Sequence, residues 1–160
     1  MKHLLKSPAT YTVGIALLFI TTISLAQNTG NEIIGTWWNQ EKEAQIEIYQ
    51  SGNTYAGKIV WLKEPDDPET GTPKLDKKNP NTKLRSRPLL GSDLLYGFTF
   101  DKNEKEWVDG TIYDGREGKT YKCYIALNTD GTLKVRGYMG ASWMGLGKTN
   151  TWTRKNELTQ

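Results

Sequence analysis

The sequence predicts an all-β domain, an antiparallel up-and-down β-barrel of about eight strands with one short helix in a long inserted loop. Three observations carry that prediction. Apolar residues recur at every second position over many short segments, which is the period of a strand with one face buried and the other in water. Turn-forming clusters separate these segments at short spacing, as in a run of hairpins, and no segment competes with apolar residues at helical period. Eight strands can close a sheet on itself and leave no exposed edge. With 160 residues, 36% of them hydrophobic and 24% charged, the chain suits one folded domain.

Residues 1–26 read as a secretory signal and are set apart from the fold. Lys2 and Lys6 form a basic start, Tyr11 to Leu25 is mostly apolar, and Ser24-Leu25-Ala26 places small residues where a signal peptidase reads. The apolar run is shorter than the roughly 20 residues of a spanning helix. The expected domain is therefore 27–160, exported to the periplasm or beyond, with no stable membrane span after cleavage.

Within that domain the first strand is expected at Ile33 to Trp38. Ile46 and Ile48 alternate with Gln45 and Glu47 in the second, and Ser51-Gly52-Asn53 turns the chain into a third at Tyr55 to Leu62. Leu94, Tyr96, Phe98 and Phe100 fall on one face of the fourth, followed by the turn Asp101-Lys102-Asn103 and a fifth strand at Trp107 to Tyr113. Gly115 to Gly118 leads to Tyr121, Cys123, Ile125 and Leu127, and Asn128-Thr129-Asp130-Gly131 leads to Leu133 and Val135. Lys148 to Arg154 closes the set. The meander is interrupted between Leu62 and Asp93, where Glu64 to Glu69 is acidic and Lys74 to Arg87 is basic. There Asn79-Pro80 reads as an N-cap with proline at the first helical position. A loop this long in a compact domain is usually functional.

Composition excludes several chemistries. His3, the single histidine, lies in the signal, so the mature chain cannot build a Ser-His-Asp or Cys-His site or an imidazole metal site. Cys123 is the single cysteine, which leaves no internal disulfide and no cysteine cluster for a metal. Alternation places it beside Ile125 and Leu127 as a buried, unreactive packing residue. Asp109 and Asp114 are five apart on one strand and point to opposite faces, so they make no catalytic carboxylate pair. Asp101 to Lys105 puts a lysine where a calcium loop wants an oxygen ligand. No catalytic residue, metal or cofactor is expected, and the chain is read as a non-enzyme, with a carboxylate-based hydrolase as the remaining enzymatic alternative.

Other motifs have plain structural readings. Gly145 to Thr149 is like a phosphate loop, but Ser142 stands at its first glycine position and the context is strand to strand. Lys74, Lys77, Lys78, Lys83, Arg85 and Arg87 could meet an anionic group or form a solvated loop, and Arg85 or Arg87 is expected to pair with Asp76 or Asp114. That segment has no aromatic residue for base stacking, so nucleic acid is not an expected partner. The six tryptophans could fill the barrel or line a pocket.

Two sets of residues carry family resemblances. Gly35-Thr36-Trp37 with Arg154 on the last strand resembles the signature of the calycins (lipocalins, fatty-acid-binding proteins and avidins). The resemblance implies that Arg154 covers Trp37 at the closed end of the barrel. Ile34 to Gln40 is similar to the avidin first strand, but Glu43 stands where avidins carry a ligand-facing serine. Over nearly the whole mature chain, Gly57 to Leu62, Asp76 with Asn79-Pro80, Leu84 to Arg87, Leu89 to Gly91, Gly110 with Ile112 to Asp114, Gly118-Lys119 with Tyr121, and Leu133 to Gly137 followed by Trp152 resemble the bacterial secreted family called domain of unknown function 2147. That resemblance implies a small exported calycin-like barrel without an established reaction.

The expected function is binding of a small amphipathic or apolar ligand, and the alternative is an envelope interaction protein with a packed interior. The insert from Asp76 to Arg87 should fold across one mouth of the barrel. There Asp76, Asn79 and Arg85 would bond with Tyr113 and Asp114, while Trp61, Tyr96 and Tyr138 would form apolar walls. The sequence names neither a ligand nor an oligomeric state.

Overall fold

The computed structural model describes residues 29–141 and 144–155. The expected signal, and Ser142 and Trp143, lie outside them. Eight strands form the fold: β1 Gly35–Trp38, β2 Ala44–Ser51, β3 Thr54–Leu62, β4 Asp93–Asp101, β5 Glu106–Asp114, β6 Lys119–Leu127, β7 Leu133–Tyr138 and β8 Gly147–Arg154. Each is antiparallel to its neighbour in sequence, and β8 pairs with β1 through Trp37↔Arg154 and Trp38↔Thr153, closing the barrel. Among the described residues no helix is long and apolar enough to cross a membrane.

One end of the barrel is filled. Ile33, Trp37, Ile48, Tyr55, Phe98, Trp107, Cys123, Ile125, Leu133 and Val135 pack together there. A 3-10 turn at Asn31–Ile33 plugs this end, so Ile33 belongs to the turn and the first strand begins two residues later than the sequence suggested. The plug also satisfies the buried polar tips of the core. Trp37 Nε1 donates to the Ile33 carbonyl at 2.8 Å, Trp107 Nε1 to the Gly30 carbonyl at 2.8 Å, and the Tyr55 hydroxyl to Asn31 Oδ1 at 3.0 Å. Arg154 lies over Trp37, 4.2 Å from the ring centroid, and donates to the carbonyls of Ile34 and Glu32. The pairing expected from the calycin resemblance is thus present. Gly35 beneath it has a φ of 128°, which favours glycine, and a Cβ there would also crowd Arg154 Nη1 at 2.9 Å.

Cys123 is fully buried, and burial pushes its thiol up to about 12. Since the thiolate is the reactive form, labelling of the native protein by a thiol reagent should be slow and should reach the rate of the unfolded chain only in denaturant. Rapid native labelling would contradict the packing role.

The alternation expected along β4 breaks at Gly97, whose φ of 70° is open to glycine at little cost. Leu95 and Phe98, three apart, are both buried as a result. Tyr96 is turned to the outer face, 37% exposed, with its hydroxyl on the Asp93 carbonyl. A comparable irregularity separates β2 from β3 between Gln45↔Trp61 and Ile46↔Ile59, where β3 carries one extra residue. Ile59 then faces inward, whereas Trp61 packs on the outer face edge-on to Trp38, with centroids 5.1 Å apart.

The insert between β3 and β4 is held by its own charges. Its acidic first half clasps its basic second half through Lys74–Glu64 at 3.2 Å and Lys77–Asp67 at 2.8 Å, and isolated bridges pair Asp66 with Pro73 and Leu75 with Pro88. The expected helix is one 3-10 turn, Thr82–Leu84, capped by Asn81 rather than Asn79. Asn79 cannot cap it, because its side chain bonds Asp76 Oδ2 at 2.7 Å and accepts from the Asn81 N–H at 2.9 Å.

Candidate functional site

The other end of the barrel is hollow. A cavity of about 660 Å³ opens there, within the size range of small-molecule sites. Its walls follow from strand alternation, except in β4, where a second register shift between Leu95 and Asp93 lets Leu94 line the cavity although Leu95 is buried in the core. Ile46 of β2, Ile59 of β3, Leu94 of β4, Ile112 of β5 and Trp152 of β8 make an apolar interior. Tyr121 of β6 and Asn150 of β8 stand in the wall, and the loops between strands supply the mouth. Asn39, Glu41 and Glu43 come from the β1–β2 loop, Asp114 from the end of β5, Gly115 to Glu117 from the β5–β6 turn, and Met139 and Leu146 from the β7–β8 loop. Gly137 keeps the space open. It faces inward on β7, and a Cβ there would approach Ile112 Cγ2 to 3.3 Å.

The mouth is polar and largely bonded to itself. Arg116 grips Asp114 with two parallel bonds, Nε to Oδ1 at 3.2 Å and Nη2 to Oδ2 at 3.1 Å. Burial pushes the Asp114 carboxyl up, but those bonds outweigh it and hold the group below its ordinary value. The Arg116 guanidinium is held above its ordinary value by the bond to Asp114 and that group's charge, with Glu41 and Glu43 adding to the effect. Tyr121 donates to Glu117 Oε2 at 2.6 Å. Asn39 Oδ1 accepts from the N–H groups of Glu43 and Ala44, which fixes the β1–β2 loop at the rim. An apolar interior under a charged rim can orient an amphipathic molecule tail inward, because only the head then keeps polar contacts.

The residues expected to form the site separate into two groups. Tyr113, Asp114 and Tyr138 border the cavity, although the Tyr138 ring is turned toward Tyr124 with centroids 6.3 Å apart. Asp76 and Asn79 lie behind Tyr113, both buried, and none of the residues from 76 to 87 lines the cavity. Only Leu89 and Ser92, at the insert's exit, do so. The expectation that the short helix lies across the mouth is therefore corrected: the insert is pinned beside it. Arg85 is not at the cavity, since its Nε donates to the Asn79 carbonyl at 2.8 Å. Trp61 and Tyr96 are not walls of the cavity, because the bulges in β3 and β4 turn them outward.

Asp76 is the anchor of the insert. Its carboxylate is fully buried and accepts four hydrogen bonds: Oδ2 from Asn79 Nδ2 at 2.7 Å, Arg87 Nε at 3.1 Å and Arg87 Nη2 at 2.9 Å, and Oδ1 from the Tyr113 hydroxyl at 2.5 Å. Arg87 is thus the partner of Asp76, and Asp114 takes Arg116 instead. Burial pushes the Asp76 carboxyl up, but the bonds from Tyr113, Asn79 and Arg87 outweigh that and hold it below the usual carboxylate range. Tyr113 responds in the opposite sense. Burial, the bond to Asp76 and the adjacent charge push its phenol up to about 12, so it remains a donor at any physiological pH.

The sequence reading missed Asn150, Lys148, Tyr121 and Arg116. For the first two a signal was present: counting back by twos from Trp152 puts both on the inward face of β8, where polar residues are unexpected. Arg116 had none, since only the tight turn after β5 brings it over Asp114.

Comparison with known proteins agrees with this architecture. No curated protein sequence matches the chain. Among solved structures, protein HP1028 from the human pathogen Helicobacter pylori, described as belonging to the lipocalin family, superposes with a TM-score of 0.63. The two share 26% identity, over 78% of this chain and 83% of that one. The family model of the uncharacterised proteins conserved in bacteria called DUF2147 matches residues 35–154, the span from the first residue of β1 to the last of β8. A closed eight-strand barrel of lipocalin type with that match over its whole length belongs to the DUF2147 family.

Proposed function

We propose that this barrel is a binding protein, not an enzyme, which takes a small amphipathic or apolar molecule into its open end after export to the bacterial envelope. The observation that carries the reading is the cavity itself, about 660 Å³, with an apolar interior and a charged rim. An interaction protein with a packed interior would bury side chains where this one leaves space beside an inward-facing glycine. The lipocalin neighbour and the basic, apolar, small-residue pattern of residues 1–26 support the ligand and the address respectively. Every described mouth carboxylate except Glu43 has a hydrogen bond or ion pair to a neighbouring side chain, which holds the rim in a fixed shape around the opening.

Native mass spectrometry of protein expressed with its signal in its own host tests the proposal. A discrete small molecule should accompany the folded protein at one copy per barrel and leave on unfolding. Protein that flies only as the bare chain, and that takes up no apolar probe after delipidation, would rule the reading out.

A further inference from the structure

We propose that the cavity is shaped for an acyl chain joined through an amide to a small anionic head, with Asn150 and Lys148 as the residues that read it. The inference rests on the barrel being a binding protein and names the class of ligand for the same cavity. Most polar groups in the wall are already occupied. Asn39, Ser92, Tyr113, Asp114 and Tyr121 all bond within the protein. Among the described residues that line the cavity, the Asn150 side chain and the Lys148 ammonium have no hydrogen-bond or ion-pair partner, and the one other charged group in that position is the Glu43 carboxylate, out in the β1–β2 loop at the rim.

Their direction is fixed by register. Asn150 is paired with Val135 and Lys148 with Gly137, and both partners face inward, Val135 fully buried and Gly137 toward Ile112. Trp152, next on the same face, is buried in the core. The inward face of β8 is thus graded from an indole through an amide to an ammonium, with successive residues about 7 Å apart along the strand. A primary amide both donates and accepts, so Asn150 matches an amide in the ligand, which presents a carbonyl and an N–H together. Lysine is a flexible point charge that meets an anion without demanding a fixed geometry. An acyl tail then lies on Ile46, Ile59 and Ile112, its amide at Asn150 and its anion at Lys148 under the rim.

The test uses the neutral fluorescent dye N-phenyl-1-naphthylamine bound to the delipidated, folded protein and three competitors. N-dodecanoylglycine carries chain, amide and carboxylate; its methyl ester lacks the charge; pentadecanoate lacks the amide at similar length. The acylglycine should displace the dye at concentrations at least about tenfold below either of the others, the effect of one well-made polar contact. Asn150→Leu should erase the preference over pentadecanoate and keep that over the ester, and Lys148→Met should do the reverse. Equal displacement by all three in the native protein, or preferences that survive in both variants, would overturn the inference while leaving a ligand-binding barrel intact. The native ranking decides the matter even if a variant fails to fold. Failure of the dye to bind at all would remove the binding-protein reading with it.

Discussion

Asp76→Ala should lower the stability of the barrel by about 3–5 kcal/mol, the usual cost of removing one partner from a buried, hydrogen-bonded ion pair. The loss has identifiable sources. Arg87, Asn79 and Tyr113 would each be left with a donor that has no acceptor, and the insert would lose the tie that joins it to β5. Denaturant unfolding measures the energy, and trypsin reports the location, since Lys77, Lys78 and Lys83 lie in the segment that would come free. A shift below about 1 kcal/mol with unchanged digestion would contradict the anchor. The same group sets a pH dependence. Its folded pKa is depressed, so its contribution is complete above the unfolded value of about 3.9 and is lost as pH falls through the folded value. The stability gap between the native protein and Asp76→Asn should therefore be constant near neutrality and shrink under acid.

Arg154→Ala is expected to cost about 2 kcal/mol, and ligand affinity should not change. The guanidinium donates to two backbone carbonyls and covers the Trp37 ring at the filled end, on the side of the barrel away from the cavity. The carbonyls can recover water because this end is solvent-exposed, which keeps the cost below that of the Asp76 site. Arg154→Lys should recover little, as a single ammonium cannot reach both carbonyls while lying flat on an indole. Stability unchanged in Arg154→Ala would mean that the arginine decorates the closed end without holding it.

Much of the fold was legible because strand alternation and turn chemistry are local. Ile46 and Ile48, Cys123 and Ile125, and Leu133 and Val135 all face inward as their period requires, and the turns fall where Gly, Asn and Asp cluster. The errors arise where one residue shifts the phase. Gly97 and the extra residue in β3 each invert the faces beyond them, which moves Tyr96 and Trp61 from cavity wall to outer surface. No composition signal distinguishes such a bulge from a glycine that merely weakens a strand. Of the candidate site, the contact of Asp76 and Asn79 with Tyr113 was readable as complementary chemistry. Its meaning as an anchor beside the mouth was not, because that depends on where a long irregular segment lies in three dimensions. The clasp of Glu64 and Asp67 by Lys74 and Lys77 likewise turns an apparent anion-binding run into an internally paired loop.

The central claim is that the open end of the barrel holds one ligand, and titration of the delipidated protein with N-phenyl-1-naphthylamine tests it most directly. Native protein should saturate at one dye per barrel. Two substitutions that fill the cavity from different walls, Gly137→Leu on β7 and Ala44→Leu on β2, should each weaken binding at least about tenfold while the barrel still unfolds cooperatively. Dye fluorescence that never saturates in the native protein, or saturates equally in the folded, filled variants, would contradict the account.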